Sequence, residues 1–463
     1  MPKLSRAGML VVLAVGLAQI CLTLDYFSLT VALPEMARDL DVSTSDLQWA
    51  LSGYLISFSA LLVAGGRVGD IFGRRRVLIV GIAIFGLSSL ACGLATSAEM
   101  LVAFRIVQGV GGAIVFPVSM AVLANAFDGD ERTHAIGLVV FVATLGNAIG
   151  PFVGGVLTDT LSWRWVLLIN APIAAAAIAL VWRGVRESRD EAASRRLDWP
   201  GIVTLSGGIV GVALLIDRGP TWGAGSPTFI VVAVASAALL VAFWFIQHHV
   251  ANPLVEPAVL HSRPFGLITA GGALSNFCWA LLAFVATLYL QEVRGLSPLE
   301  AGFAFLALSA GTALGGPLSG RLLKRAPVAP LMIGSSLIAA IGLGGLAAVS
   351  DWAAWLPLFF VCGVGVGLNY ALCNQGVLGT VPPRLAGAGS GVMLTAVITM
   401  AGLATAAGAT AVEELVSGPG PAALGDAIDT VLRAGAIVAL ASALPLIPLI
   451  RRGRPAEVEP APA

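Results

Sequence analysis

Long apolar segments follow one another along this chain, separated by short breaks of glycine, proline and charged residues. A helix needs about 20 mostly apolar residues to cross a bilayer, and these segments have about that length. Because every backbone N–H and C=O must find a partner inside lipid, we interpret them as helices rather than strands. The predicted spans lie at residues 9–33, 46–66, 77–96, 99–122, 134–158, 165–183, 200–217, 227–247, 264–290, 299–322, 329–349, 354–378, 388–414 and 429–450.

The distribution of loop charges supports a count of fourteen spans. An even count places both termini on the same side of the membrane. With a cytoplasmic N-terminus, 20 of the 26 Lys and Arg residues lie on the cytoplasmic side, five lie outside and Arg105 lies within the membrane. The positive-inside rule requires such a bias, and removing one span would destroy it. We expect a multi-pass protein of the bacterial inner membrane with both termini in the cytoplasm.

Two polar stretches divide the spans into groups. One, at 183–198, follows the sixth span, and the other, from His248 to Pro264, follows the eighth. A weak repeat, GGRVGD at 65–70 and SGRLLKR at 319–325, indicates duplication, and duplicated bundles hold binding sites near the membrane midplane. The predicted units are an N-terminal six-helix bundle at 1–183, a cytoplasmic linker at 184–198, two extra helices and a linker at 199–263, a C-terminal six-helix bundle at 264–450 and a disordered tail at 451–463.

Composition excludes several other classes of protein. Hydrophobic residues make up 57% of the chain and charged residues only 11%, whereas soluble domains carry about 25% charged residues. The net charge of zero gives no reason to expect nucleic-acid binding. The five cysteines lie within apolar segments and form no CxxC pair, so packing is the better interpretation. No GxxxxGK[ST], HExxH or GxSxG string occurs. We therefore expect no enzymatic activity, no bound metal and no cofactor.

A glycine- and arginine-rich segment, GGRVGDIFGRRR at 65–76, joins the second and third spans. Its glycines permit a tight turn, its acid can accept backbone N–H groups at a helix start, and its arginines favour a cytoplasmic position. The segment resembles the cytoplasmic signature of the major facilitator superfamily, although Val68 and Ile71 replace a leucine and an arginine. The resemblance implies a gating loop formed by Gly66, Asp70, Gly73, Arg74 and Arg75. The second-half loop departs from this pattern at Lys324.

The fifth span carries the string GNAIGPFVGG at 146–155. Glycines four residues apart share one helix face and allow a neighbouring helix to approach closely, while the proline bends the helix. Ordinary small-residue packing is the alternative explanation. The full string resembles the antiporter motif of drug:proton exporters in the same superfamily. The residues that carry this motif are Gly146, Gly150, Pro151, Gly154 and Gly155.

Further segments resemble the fourteen-helix drug:proton antiporter branch of that superfamily. They are LDYFSLTVALP at 24–34, RIVQGVGGA at 105–113, SWRWVLLINAP at 162–172 and LYLQEVRGLSPLEAG at 288–302. Together the resemblances cover residues 24 to about 410. They imply an all-α integral membrane protein with the major-facilitator fold, in which two six-helix bundles are accompanied by two extra helices.

Asp25 and Arg105 are the ionisable residues farthest from the ends of their spans. Counted at 1.5 Å per residue, Asp25 lies about 12 Å and Arg105 about 9 Å from the outer end. An aspartate is too short to reach water from that depth, although an arginine could extend to the interface. Ionisable groups at membrane depth are functional candidates. We predict that Asp25 and Arg105 form a proton-coupling pair.

A carboxylate inside the membrane experiences two opposing effects, since burial disfavours its charged form and a guanidinium favours it. If substrate binding favours the deprotonated form, proton and substrate movements become linked. Polar and aromatic residues within the spans are candidates for a substrate cavity, with helix–helix hydrogen bonding as the alternative for the asparagines. The candidates are Gln108, Asn276, Trp279, Tyr289, Asn369, Tyr370 and Asn374.

These patterns predict a proton-coupled exporter of amphipathic small molecules, such as drugs or antibiotics, that works by alternating access. Its partners would be the substrate, protons and the lipid bilayer, its energy source the proton gradient, and its working unit a monomer. A lipid or metabolite transporter of the same fold is one alternative. A non-transporting membrane sensor or scaffold is another, and a substrate-dependent proton flux would exclude it.

Overall fold

The architecture is described from a computed structural model. It describes residues 5–189, 197–223, 225–251, 253–349, 351–382, 385–418 and 420–450. Residues 190–196 of the predicted linker and the predicted tail at 451–463 lie outside the described residues.

Within the described residues, fourteen helical segments are long and apolar enough to cross a membrane, when the bent fifth segment is counted as one span. The predicted count of fourteen spans is therefore confirmed. In chain order they are α1 Arg6–Asp39, α2 Trp49–Phe72, α3 Arg74–Gly93, α4 Ala98–Ala126, α5 Gly129–Thr160, α6 Arg164–Gly184, α7 Trp199–Trp222, α8 Pro227–His249, α9 Arg263–Val293, α10 Pro298–Leu322, α11 Val328–Leu346, α12 Trp352–Leu378, α13 Ala386–Leu415 and α14 Pro421–Ile450.

Several helices extend beyond their predicted apolar segments. In α1 and α14, local side chains or backbone geometry support the extra turns. Helix α1 continues past Leu33, where Glu35 and Arg38 form a 3.0 Å ion pair one turn apart. Helix α14 begins at Pro421, eight residues before the predicted start at 429. A proline fits the first turn of a helix because its missing N–H would lack a helical partner there.

The loops divide between the two ends of the bundle. At one end, which we call the Asp39 end, the Asp39 carboxylate accepts hydrogen bonds from Arg164 Nη1 at 2.6 Å and Trp163 Nε1 at 3.0 Å. At the other end, the Arg74 end, the backbone N–H of Arg74 donates to the carbonyl of Ser188 at 2.8 Å. Both contacts join loops that are distant in sequence, so each end of the first six helices is fixed by long-range contacts.

Helices α1–α6 and α9–α14 form two six-helix bundles whose contacts concentrate toward the Asp39 end. Helix α2 packs on α13, and α5 packs on α10. Gln291 Nε2 donates to the carbonyl of Val31 at 2.7 Å, and the Tyr26 hydroxyl lies 3.4 Å from that of Thr405. A Cβ at Gly155 would overlap the carbonyl oxygen of Pro298. The two halves are thus held close together on the Asp39 side of the site described below.

The two extra helices have different surroundings. Helix α7 packs against α2 of the first half and α13 of the second. Gln48 Nε2 donates to Asp217 Oδ1 at 2.8 Å, and Ser206 Oγ donates to the Ala60 carbonyl at 2.9 Å, which fixes α7 to α2. Leu403 of α13 packs in one apolar cluster with residues of α2 and α7. Helix α8 packs on α7, and only 6% of its most apolar stretch is buried. Its remaining surface therefore faces the membrane lipids.

Helix α5 is bent by 43° between His134–Asn147 and Ile149–Thr160. Pro151 lies four residues after Asn147 and cannot donate to that carbonyl because it has no backbone N–H. The bend occurs at this missing hydrogen bond, as the sequence predicts.

Candidate functional site

Asp25 lies at the centre of a buried polar cluster in the first half. Its carboxylate accepts hydrogen bonds from Arg105 Nη1, from Gln108 Nε2 at 3.0 Å and from Asn170 Nδ2 at 2.7 Å. All four side chains are completely buried. The donors come from α4 and α6 while the carboxylate belongs to α1, so the cluster holds three helices together around one carboxylate.

Arg105 is fixed by several contacts besides the ion pair. Its Nε donates to the Ala50 carbonyl at 2.7 Å, and its Nη1 also donates to Gln108 Oε1 at 2.7 Å. Its Nη2 has no hydrogen-bond partner among the described residues. The predicted pairing of Asp25 with Arg105 is therefore present. The Arg105 side chain is buried beside Asp25 and does not extend to the outer interface. Gln108, predicted for the cavity, instead connects the two members of the pair.

Asn170 was not singled out from the sequence as a site residue. Its amide donates to Asp25 and also to Ser89 Oγ at 3.1 Å, and Ser89 in turn donates to the Leu167 carbonyl at 2.9 Å. Asn170 lies six residues after Arg164 at the start of α6, and Arg105 lies six residues after Glu99 in the first turn of α4. Comparison of these depths along the helices would have identified it.

Tyr54 of α2 lies between the cluster and the space separating the two halves. The guanidinium carbon of Arg105 is 4.2 Å from the centre of the Tyr54 ring, within range of a cation–π interaction. The same ring contributes to the wall of the central cavity. The Tyr54 hydroxyl is buried and has no hydrogen-bond partner among the described residues. Tyr54 is therefore a direct physical connection between the ion pair and the cavity.

A cavity of about 230 Å³ lies between the two halves and is lined by residues of both. Its walls are mainly apolar and aromatic. Phe27 and Trp279 meet edge to face across the interface with their centroids 4.6 Å apart. Asn276, whose amide donates to the Val397 carbonyl at 2.9 Å, adds a polar group to the wall. A largely aromatic wall with a few amides and hydroxyls suits an amphipathic organic molecule.

The predicted cavity residues divide into two groups. Asn276, Trp279 and Tyr370 line the cavity. Gln108, Tyr289, Asn369 and Asn374 are not among its wall residues, which corrects their predicted placement.

Three of the residues that do not line the cavity have other surroundings. Tyr289 stacks on Trp355 at 3.9 Å between centroids. Asn369 is buried and donates to Ser335 and Ser336 of α11, so it joins two helices of the second half. The Asn374 amide donates to the carbonyl of Tyr370, one turn earlier in its own helix.

The glycines of the α5 motif pack on two different neighbours. Gly146, Gly150 and Gly154 face α1, where a Cβ at Gly150 would lie 2.7 Å from the Phe27 Cβ. Ser28 Oγ donates to the Gly150 carbonyl at 2.8 Å. On another side of the helix, Gly155 and Pro151 meet α10 of the second half. The motif therefore permits close packing of α5 both within the first half and across the interface.

The loop between α2 and α3 folds differently from the prediction. Asp70 accepts hydrogen bonds from the Arg74 side chain at 2.7 and 3.0 Å. Glu187 accepts the backbone N–H groups of Arg75 and Arg76 at 3.0 and 3.3 Å instead. Gly73 between the helices has φ +104°, a conformation that side chains disfavour.

Two other predicted members of the gating loop lie close to neighbouring helices. Gly66 of α2 faces Pro117 of α4, and a Cβ at Gly66 would lie 3.3 Å from the Pro117 Cβ. Arg75 Nη2 donates to the Trp182 carbonyl at 2.5 Å. These contacts join the loop to the first half and to the segment that follows α6.

The chain belongs to the Major Facilitator Superfamily, whose family model matches residues 15–409. It is 35% identical over 398 residues to the puromycin resistance protein of Streptomyces alboniger, covering 84% of this chain and 78% of that one. It is 31% identical to the tetracenomycin C resistance and export protein of Streptomyces glaucescens, covering 85% and 74%. It is 32% identical to the cephamycin export protein of Amycolatopsis lactamdurans, covering 98% and 95%.

Solved structures share the fold over nearly the whole chain. An auto-inhibited peptide transporter of the POT family superposes with a TM-score of 0.72, at 14% identity, with 99% of each chain covered. A bacterial homologue of the human lysosomal transporter Spinster, in an inward-facing and occupied conformation, gives a TM-score of 0.69 at 17% identity, with 97% and 98% covered. The protein is a multi-pass membrane protein of a transporter family rather than an enzyme family.

Proposed function

We propose that this protein exports amphipathic small molecules of the antibiotic or drug type in exchange for protons. The observation that carries the proposal is the completely buried Asp25–Arg105 pair beside a cavity that both halves line. The resistance and export functions named for three relatives support the direction of transport. The working unit is a single chain in the bacterial inner membrane, with both termini in the cytoplasm.

The buried pair supplies a reason for coupling. In the arrangement described, the Asp25 carboxylate and the Arg105 guanidinium compensate each other. Adding a proton to Asp25 would leave the arginine charge buried without its anion, and breaking such a pair costs about 3–5 kcal/mol. Protonation of Asp25 therefore favours another arrangement of α1 and α4. A conformational change that depends on one proton is the requirement for antiport.

The contacts between the halves support one stage of the proposed cycle. They lie toward the Asp39 end, which we propose from the loop charges to be the outer end. We infer a state closed to the outside, with Asp25 ionised and the cavity ready to accept substrate from the cytoplasm. After the halves reorient, a proton from outside reaches Asp25, the pair separates and substrate leaves. Return of the protonated carrier and proton release to the cytoplasm complete the cycle.

The aromatic wall gives the substrate a route to influence the ion pair. A molecule in the cavity contacts Tyr54, and Tyr54 stacks on Arg105. Substrate binding that presses the ring against the guanidinium strengthens the arrangement in which Asp25 is ionised. This is the thermodynamic linkage that exchange of proton for substrate needs.

A panel of amphipathic antibiotics and dyes, added to acidified everted vesicles containing the protein, tests the proposal. We expect at least one compound to release protons from the vesicle lumen and to accumulate inside when a gradient is imposed. Vesicles lacking the protein provide the background. Uptake that is the same with and without the proton gradient, and no proton release for any transported compound, would exclude proton coupling. The proposal of export would remain.

The proposed orientation has a separate test. Arg186 and Ser417 are exposed and lie in loops that we place on opposite sides of the membrane. All five native cysteines are buried, so they give little background labelling. Cysteine at position 417 should react with an impermeant maleimide on intact cells, whereas cysteine at 186 should react only after the cells are opened. The reverse pattern would invert the proposed topology.

A further inference from the structure

Two histidines face each other near the Arg74 end, where α8 ends and a short helix, Pro257–Leu260, precedes α9. His248 Nε2 and His261 Nε2 are 3.4 Å apart, and their rings are nearly perpendicular at 85°. The Trp244 ring lies 4.7 Å from His248 and 5.7 Å from His261, measured between centroids. This cluster lies outside the cavity and the Asp25 site.

The hydrogen bonds of the two rings determine which nitrogen carries hydrogen. His248 Nδ1 lies 2.6 Å from the Trp244 carbonyl oxygen, and His261 Nδ1 lies 2.7 Å from that of Pro257. A carbonyl oxygen can only accept, so each Nδ1 must donate. In the neutral rings both Nε2 atoms then carry lone pairs, and these lone pairs face each other.

Two facing lone pairs repel each other, and a positive species between them would remove this repulsion. A shared proton would draw the nitrogens toward the usual hydrogen-bond separation of about 2.9–3.0 Å, shorter than the separation here. Two nitrogen ligands at about 2.0–2.1 Å from a tetrahedral metal ion lie about 3.3–3.4 Å apart. The observed distance of 3.4 Å matches the metal geometry.

We propose that His248 and His261 bind a divalent transition-metal ion such as Zn²⁺ through their Nε2 atoms. Metal-binding histidines commonly donate their other ring N–H to a backbone carbonyl, as both do here. The carbonyl end of α8 adds negative potential that favours a cation. No group of three or more His, Cys, Asp or Glu suited to a metal occurs within the described ranges, so water or an external ligand completes the coordination.

The ion would join two parts of the chain that are separate in sequence. His248 belongs to the last turn of α8, and His261 lies at the end of the helix that leads into α9. A bound metal therefore connects the extra helix pair to the entry of the second half. Both rings are at least partly exposed, so the ion has access from the aqueous side.

The test uses the full-length protein in nanodiscs, purified with a tag that lacks histidine, in buffer free of chelators. Zn²⁺ is titrated by calorimetry into the wild type and into H248A, H261A and H249A. The neighbouring His249 donates to the Phe245 carbonyl in the same way, but its ring does not pair with another histidine among the described residues, so it is the matched control. We expect one ion per chain, and loss of either paired histidine should weaken binding by about tenfold or more.

Trp244 provides an independent readout because it contacts both rings. Cu²⁺ should quench part of the tryptophan emission in the wild type and in H249A, but not in W244F or in H248Q/H261Q. Thermal unfolding of each variant confirms that it is folded. Zn²⁺ binding that is absent from the wild type, or that persists unchanged in folded H248Q/H261Q, would overturn the proposal without bearing on export.

Discussion

Tyr54 holds its ring 4.2 Å from the guanidinium carbon of Arg105 and at the same time forms part of the cavity wall. The ion pair and the cavity therefore share a residue. No chain of intervening residues is needed for a ligand in the cavity to affect the charge on the other side of the ring. Substitutions at Tyr54 can therefore separate the contribution of its ring from that of its hydroxyl.

We predict that Y54F retains substrate-driven proton release, because the aromatic ring and its contact with Arg105 remain. Y54L should keep the apolar volume but lose the cation–π interaction, which is worth about 2 kcal/mol in a desolvated site. Proton release per transported molecule in everted vesicles measures the difference. Equal coupling in Y54L and the wild type would exclude Tyr54 from the linkage.

Replacement of the central carboxylate should abolish coupling. D25N keeps the size of the side chain but cannot change protonation, so gradient-driven uptake should fall to background while D25E retains part of it. D128N is the control, since Asp128 pairs with Arg132 but its side chain is fully exposed. Uptake normalised to the protein in the membrane is the measurement. Wild-type uptake by D25N would leave the coupling residue unassigned.

Arg105 should contribute its geometry as well as its charge. It contacts Asp25, Gln108 and the Ala50 carbonyl. Lysine cannot reproduce this planar fork, and alanine leaves Asp25 buried without a cation, at a cost of about 3–5 kcal/mol.

We therefore expect thermal stability to decrease from wild type to R105K to R105A. The double variant D25N/R105A should be more stable than R105A, because it removes the uncompensated charge, yet it should not couple protons to transport. A double variant that melts no higher than R105A would show that the ion pair is not the source of the loss.

Close packing of α5 on α1 can be tested at one glycine. A Cβ at Gly154 would overlap the backbone of Ser28, whereas at Gly137 in the same helix it would meet no atom within 4 Å. G154A should lose about 1–3 kcal/mol through overpacking, and G137A should be neutral or slightly stabilising. Thermal unfolding and vesicle transport of both variants provide the comparison. Similar behaviour of the two would indicate that α5 readily moves away from α1.

Glu187 should stabilise the start of α3 although it lies more than a hundred residues away in sequence. Its carboxylate accepts two N–H groups at the positively polarised helix end and approaches Arg76 at 3.6 Å. E187A should lower the free energy of unfolding by about 1 kcal/mol, and E187Q by less because the amide oxygen still accepts. Chemical unfolding of the purified variants measures this. A smaller loss for E187A than for E187Q would contradict the capping role.

Residue spacing along the helices was sufficient to predict the depth of the site. Asp25 and Arg105 lie at one level because each is a known number of residues from the end of its span. The same arithmetic applies to Asn170 and would have added it to the site. The depth of a residue in the membrane depends only on its distance from the end of the span and on the rise of a helix, so it can be calculated from a single sequence.

The direction in which each side chain points was less predictable. Asn369 and Asn374 occupy a helix that is apolar around its whole circumference, and no polar stripe marks which face meets the cavity. Asn369 faces α11, and Asn374 bonds within its own helix. The capping of α3 by Glu187 also required the tertiary fold, because Asp70 was the nearer carboxylate in sequence.

The bent helix α5 places the interface between the halves close to Asp25. Gly155 contacts the start of α10, Gly150 receives a hydrogen bond from Ser28, and Ser28 lies three residues after Asp25. Along the helix axes these steps amount to about 7.5 Å and about 4.5 Å. If the halves separate at Gly155 as proposed, the movement would reach Asp25 through roughly two helical turns of backbone, and the bend at Pro151 lies within that path.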